Sequence, residues 1–393
     1  MRSNPLLFAS FTLCLSANAA SSTSYFPNKL HDGPISAQFV STGENIDRPR
    51  ISPGVNASTF EWWYFDVAST SSANETITVV FFERGPTGFL GNVTTENTLS
   101  VQVTGTMKNG TVYNIQSDAS ANASAVINTS DNSIYGDWET TGFRFAGTEG
   151  GTKYTISIND AEHEIFGSIT FESVSQARPF DANIGRWKSR LTWYIQTAPG
   201  HLPCGTNSSA GETELITPHV GWANILPGAH AAVSLTLRGE EIQYNGVGYH
   251  DKNWGDVPFA SIVQNWYWGH AIVGPYTLVW FDAMLRDGHE YTSGYVSKNG
   301  VLQLASCAEG RHSVRPWGAN SAYPPTNTTG RAQGLEVYYK LDDGDVLTTN
   351  VTTGAPQIEF SNYARYIASV EGSLSGSQNR SYSGVGIWEL FRF

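Results

Sequence analysis

Apolar and polar side chains alternate with a period of two along most of this chain, and that pattern decides the class of fold. Thr76 to Phe82, Thr98 to Val103, Tyr154 to Ile158, Ala232 to Leu237 and Tyr276 to Phe281 each send every second residue to one face. That is the spacing of a β-strand, not of a helix. Turn clusters such as Lys108-Asn109-Gly110, Arg286-Asp287-Gly288 and Asp342-Asp343-Gly344 separate the runs. Many short strands at even spacing predict an all-β chain of sandwiches or barrels. Ala198 to Pro218 is rich in Pro, Gly and Ser, so two β domains are expected, over residues 21–205 and 206–393.

Composition narrows the partners. Aromatic residues make up 12% of the 393, enough for large cores, and only 15% are charged. The net charge of −12 disfavours nucleic acid and anionic membranes, which need a basic footprint. Residues 1–20 read as a signal peptide: Arg2, an apolar run from Leu6 to Leu15, then Ala17-Asn18-Ala19. No later stretch is long enough for a transmembrane helix. A secretory route, secreted or lumenal, is therefore expected.

Without the leader only Cys204 and Cys307 remain. One disulfide between them is the economical reading, and two free buried thiols the alternative. Sequons at Asn56, Asn74, Asn92, Asn109, Asn122, Asn128, Asn207, Asn327, Asn350 and Asn379 fit a glycoprotein.

The familiar catalytic signatures do not occur. The chain has no G-x-S-x-G, no P-loop and no H-E-x-x-H, and its nine histidines form no close pair at ligand spacing. No metal and no cofactor are expected. Two aromatic clusters take their place. Glu61-Trp62-Trp63-Tyr64-Phe65-Asp66, as a strand, puts Glu61, Trp63 and Phe65 on one face and Trp62, Tyr64 and Asp66 on the other. Ordinary core accounts equally well for Trp62 and Phe65, but a carboxylate beside paired indoles needs a partner.

The second cluster runs from Gly246 through Tyr249-His250-Asp251-Lys252-Asn253-Trp254. Asn265-Trp266-Tyr267-Trp268-Gly269-His270 and Trp280-Phe281-Asp282 follow it. Trp266, Trp268 and His270 share a face that suits a flat apolar ligand carrying a few oxygens. For Asp251 and Asn253 a turn bonded to its own backbone is an equal alternative.

With E-W-W-Y-F followed by G-x-G-Y-x-D-x-N-W-G, the chain resembles the carotenoid-hydratase superfamily, to which the fungal Diels-Alderases belong. The resemblance implies two lipocalin-like β-sandwich or β-barrel domains side by side, an apolar pocket, and catalysis without a cofactor. Lys252 stands where hydratase-type members tend to have His, which favours the pericyclase branch. The leader and sequons resemble the hetero-Diels-Alderases that join a tropolone quinone methide to a humulene-type sesquiterpene.

A cycloaddition moves no proton, so a shaped pocket with a few hydrogen-bond donors suffices. The expected catalytic residues are Tyr64, Lys252, Asn253, His270 and Asp282. Glu61, Trp63, Asp66, Asp251, Trp254, Trp266, Trp268 and Trp280 are expected to bind an apolar small molecule. The rival readings are a decalin-forming intramolecular Diels-Alderase, a terpenoid hydratase or isomerase using Asp251 or Asp282 as acid, and a lipocalin-like carrier.

Overall fold

A computed structural model describes residues 21–43, 45–90, 97–130, 133–174, 200–205, 210–376 and 380–393. The expected leader and the sequons at Asn92, Asn207 and Asn379 lie outside those residues. The architecture is β throughout, in two large antiparallel sheets. Alternation gave the strands their positions: Thr76–Arg84, Leu99–Thr106, Lys153–Asp160, Val220–Leu237 and Tyr276–Leu285 cover the runs read from sequence, all but Thr98. Gly110 and Gly344, at φ 85° and 91°, take the left-handed turns between strands, where a side chain is strained.

The first sheet has thirteen strands and the second nine. Each curls on itself. In the first, Trp138 packs on Phe81 with ring centroids 5.0 Å apart and donates from Nε1 to the Phe82 carbonyl at 2.9 Å. The strands Ser133–Trp138 and Thr76–Arg84 are far apart in the sheet order, so only a rolled sheet brings them together. Its inner face is one continuous apolar core. In the second sheet, the edge strand His312–Trp317 returns against Glu290–Lys298, where His312 occupies the space above Gly294. A second core fills that roll. The result is two barrel-like units with an aromatic seam between them.

The sheets divide the chain between Gly255 and Val263, not at residue 205. Val220–Leu237 pairs with Ile165–Ser173, and Glu240–Gly255 with Phe60–Ser69, so residues 215–255 complete the first sheet. The Pro- and Gly-rich stretch is a connection that returns to the sheet it left. Within it, His201 forms a backbone bridge to Asn224 of the first barrel and stacks on Tyr295 of the second, centroids 4.6 Å apart. Cys204, three residues on, is bonded to Cys307. Among the described sequons, Asn109, Asn122, Asn128, Asn327 and Asn350 are exposed, while Asn56 and Asn74 are half-buried. No helix among the described residues is long and apolar enough to cross a membrane.

Candidate active site

Strand alternation splits the two sequence clusters between two environments. Glu240–Gly255 and Phe60–Ser69 are antiparallel neighbours, with Tyr249 opposite Asp66, Asp251 opposite Tyr64 and Lys252 opposite Trp63. Glu61, Trp63, His250, Lys252 and Trp254 point into the first barrel. Tyr64, Asp66, Tyr249, Asp251 and Asn253 face the seam.

Inside the barrel, Glu61, Trp63, His250, Lys252 and Trp254 each have a partner. The Lys252 ammonium sits 2.5 Å from Glu61, 2.7 Å from the Arg48 carbonyl and 3.9 Å above the Trp63 ring. Burial lowers its pKa to about 8, with Glu61 opposing that fall. Trp63 and Trp254 donate their indole N–H groups to the Asp47 and Gln38 carbonyls at 2.9 and 2.7 Å. His250 reaches the Tyr64 carbonyl and Asp47 through its two ring nitrogens, at 2.9 and 3.0 Å.

The seam differs. From the second sheet, Val263–Val273 presents Trp266, Trp268 and His270 to it, while Tyr267 and Gly269 face the second barrel's core. His270 Nε2 donates to both oxygens of Asp66, at 2.8 and 3.0 Å. In the neutral ring the lone pair is therefore on Nδ1, which is buried and has no partner. Tyr64 donates its hydroxyl to the same Asp66 at 2.6 Å.

Tyr249 links this pair to a second carboxyl. Its ring stacks on His270 with centroids 4.5 Å apart, and its hydroxyl donates to Asp251 Oδ2 at 3.0 Å. Trp222 Nε1 donates to that same oxygen at 2.7 Å. Burial raises the Asp251 carboxyl well above the ordinary carboxylate range, and Glu389 and Asp66 push the same way against these two donors. Its protonated form is thus favoured, with Oδ2 accepting from both donors and Oδ1 left to carry the proton. Trp266 Nε1 has no partner, and Trp268 Nε1 lies near the Tyr249 hydroxyl outside hydrogen-bond geometry.

A further charge completes the seam. The Arg365 guanidinium lies over the Tyr64 ring at 5.0 Å, bonds to Thr104 Oγ1 at 3.0 Å and approaches Glu389 at 3.4 Å. Sequence reasoning missed Arg365, Glu389 and Trp222. Arg365 and Glu389 meet only through the register of the last two strands, and no local motif marks them.

The expected site residues therefore divide. Tyr64, Asp66, Asp251, Trp266, Trp268 and His270 converge on the seam. Asn253 faces it too, but its amide donates to the Gly221 carbonyl at 3.1 Å and ties two strands together. Glu61, Trp63, Lys252 and Trp254 belong to the first barrel's interior. Trp280 and Asp282 belong to the second's, so Trp63 and Trp280 wall no common space with Trp266 and Trp268.

The seam rings pack against one another, and a groove of about 1120 Å³ lies at one end of the seam. Cross-strand rows of the first sheet, Lys153–Glu172–His230–Val247 and Thr155–Thr170–Ala232–Asn245, form its floor. Ile272 and the segment Ser383 to Val385 form the facing wall, and no indole lines it. Val247 and Ile272 each lie two residues from Tyr249 and His270, roughly 7 Å along their strands at about 3.3 Å per residue. The inner end of the groove thus abuts the Tyr249–His270 stack.

Fold and seam together define a class: a double-barrel, all-β protein whose inter-barrel face carries a buried carboxyl, an oriented imidazole and unpaired indole N–H groups. A profile of the Diels-Alderase-like family matches residues 24–317. The quinolone epoxide rearrangement protein penF of Penicillium thymicola is 34% identical over 372 residues, 94% of this chain and 95% of its own. The protein of the same description from Emericella nidulans, asqO, is 33% identical over 387 residues, 98% of each. The Diels-Alderase poxQ of Penicillium oxalicum is 21% identical over 267 residues, 65% of this chain and 52% of its own. Among solved structures, CghA with Sch210972 superposes with a TM-score of 0.71 at 15% identity, over 95% of this chain and 98% of that one.

The chain belongs to the Diels-Alderase-like family. Its named relatives are Diels-Alderases, cyclases and rearrangement proteins, and it is an enzyme of that kind.

Proposed function

We propose that the chain isomerises an oxygenated, largely apolar polycyclic molecule by acid-assisted rearrangement at the inter-barrel seam, an epoxide being the functional group that fits best. The observation carrying this reading is the geometry that sets the buried Asp251 carboxyl, its pKa raised by burial, and a free His270 Nδ1 on either side of Tyr249. The names of the relatives at 33 and 34% identity support it.

Asp251 gives its proton to the epoxide oxygen as the C–O bond breaks. A neighbouring bond pair then moves into the electron-poor carbon. Where the new skeleton must lose a proton, His270 Nδ1 accepts it, with Asp66 holding the ring and balancing its charge. Protons in and out are equal, so the product is an isomer. Substrate enters from the groove, and its reacting end displaces the contact between Tyr249 and the second sheet.

A second reading, a [4+2] cycloaddition, draws on the unpaired N–H of Trp266, which can polarise a carbonyl on the electron-poor partner without any proton transfer. Asp251→Asn separates the two. Acid catalysis predicts a loss of kcat of about 10²–10⁴-fold on a quinolone epoxide, and for wild type a rate that falls on the alkaline side as Asp251 ionises. Unchanged epoxide turnover by the asparagine variant, with a flat pH profile, would rule out Asp251 as the acid; no epoxide turnover by wild type, with acceleration of a diene–dienophile pair, would leave the cycloaddition.

A further inference from the structure

The chain touches the seam once more, through a short strap that the acid chemistry does not use. Residues 200–205 run between the two barrels and are keyed into both. Leu202 is buried in the first barrel's core, while the Pro203 carbonyl accepts a hydrogen bond from Ser293 Oγ of the second sheet at 2.6 Å. One residue further on, Cys204 is bonded to Cys307, just past the strand Val301–Ser306. His201, ahead of these anchors, is buried with its ring against both sheets.

Two cross-strand rows, one from each sheet, meet at that ring. In the first sheet the backbone bridge extends a row that reads His201–Asn224–Asp251–Tyr64. In the second, Tyr295, Val279 and His270 are neighbours across three strands. The His201 imidazole lies flat on Tyr295, 3° from parallel, and meets the Trp222 ring edge-on with centroids 5.6 Å apart. Trp222 also packs on Phe281 at 5.2 Å, and its indole N–H is one of the two donors to Asp251 Oδ2.

The ring is a fixed, neutral spacer. Burial brings its pKa down to about 4, against the pull of the Leu202 carbonyl. At neutral pH it carries one proton, which Nδ1 donates to that carbonyl at 2.7 Å. Nε2 is then an acceptor, and the Asn224 amide donates to it. With both nitrogens engaged the imidazole neither shuttles protons nor turns, and what it offers Trp222 and Tyr295 is a rigid surface.

We propose that His201 is a positioning residue for Asp251: its ring holds Trp222 so that the indole N–H meets Oδ2, and through Tyr295 it fixes that acid relative to the sheet carrying His270. Its catalytic consequence rests on the acid-assisted reading given above. A donor aimed at one carboxyl oxygen leaves the other for the proton, so the direction in which Asp251 delivers its proton follows from where Trp222 is held. Leu202 and the disulfide pin the strap, and the strap sets the ring.

Hydrogen exchange of the indole N–H groups, followed by NMR on the full chain with isotope-labelled tryptophan, tests the contact without any substrate. In His201→Ala the Trp222 N–H is expected to exchange about tenfold faster than in wild type or more, while those of Trp63 and Trp254, bonded inside the first barrel, keep their rates. His201→Phe, which retains a ring, should restore most of the protection. With a quinolone epoxide, His201→Ala should lose about 10–100-fold in kcat at little change in KM. Unchanged Trp222 exchange in the alanine variant overturns the proposal, as does equal acceleration of all three indoles, which marks a general loosening. Acceleration as large in His201→Phe overturns it too, since the ring contact is what holds the indole. Faster exchange with an unchanged kcat reduces the contact to a structural one and also overturns it. If wild type turns over no epoxide, the reaction fails instead, and the exchange rates alone decide the contact. Should the alanine variant not fold, Tyr295→Leu, which removes the other partner of the stack, is read by the same exchange and kcat criteria.

Discussion

The interior of the first barrel and the seam beside it are built from the same two strands, yet they treat polar groups in opposite ways. Glu61, His250 and Lys252 point inward and are each bound to partners, as are the indoles of Trp63 and Trp254. One residue away along the same strands, Asp251 is a carboxyl whose pKa burial raises, and the His270 that Tyr249 covers has a nitrogen with no partner. Neighbours in sequence thus serve different ends. The inward set holds the roll closed, and the outward set keeps hydrogen-bonding capacity free for a substrate.

Breaking the inward set should cost the most stability. Lys252→Met strands the Glu61 carboxylate in the core and is expected to lose about 3–5 kcal/mol in urea unfolding, whereas adding Glu61→Leu should recover much of it. A double variant no more stable than the single would mean that the pair is not the link described here.

The second barrel extends the contrast through pH. Asp282 titrates near 3.8 when unfolded and at about 8 when folded. Between those values the unfolded chain has released a proton that the native state still holds, so stability falls as pH rises from about 4 to 8. Asp282→Asn should flatten that slope in thermal melts across the range. A slope identical to wild type would show that this carboxyl is not the group responsible.

A smaller effect compares two indoles. Trp63→Phe leaves the buried Asp47 carbonyl without its donor, worth about 1–3 kcal/mol beyond the lost volume. Trp266→Phe loses volume alone, because its N–H has no partner. Equal destabilisation of the two would erase the distinction between barrel and seam.

How much of this was legible in the sequence follows from the same alternation. Period two located the strands and correctly separated Trp62, Tyr64 and Asp66 from Glu61, Trp63 and Phe65. It could not say which set faces the seam, because all ten residues of Phe60–Ser69 are buried. With no polar, solvated face to orient the strand, Trp63, Lys252 and Trp254 looked as available as Tyr64 and Asp251. Trp280 was grouped with Trp266 and Trp268 for a similar reason: Tyr276–Leu285 is buried on both sides along nearly its whole length. The division into sheets was hidden differently. A Pro- and Gly-rich stretch reads as a linker whether the chain moves on to a new sheet or comes back to the old one.

The Cys204–Cys307 bond closes a loop with a sequence separation of 103, and that loop contains the last strands of the first barrel and the first strands of the second. A protease that nicks the backbone anywhere inside it leaves one covalent molecule, with both halves still tethered. A nick outside it, before Cys204 or after Cys307, releases a free piece only if the folded contacts let go as well. Mild digestion followed by electrophoresis with and without reductant would therefore map each cut to one side of this staple.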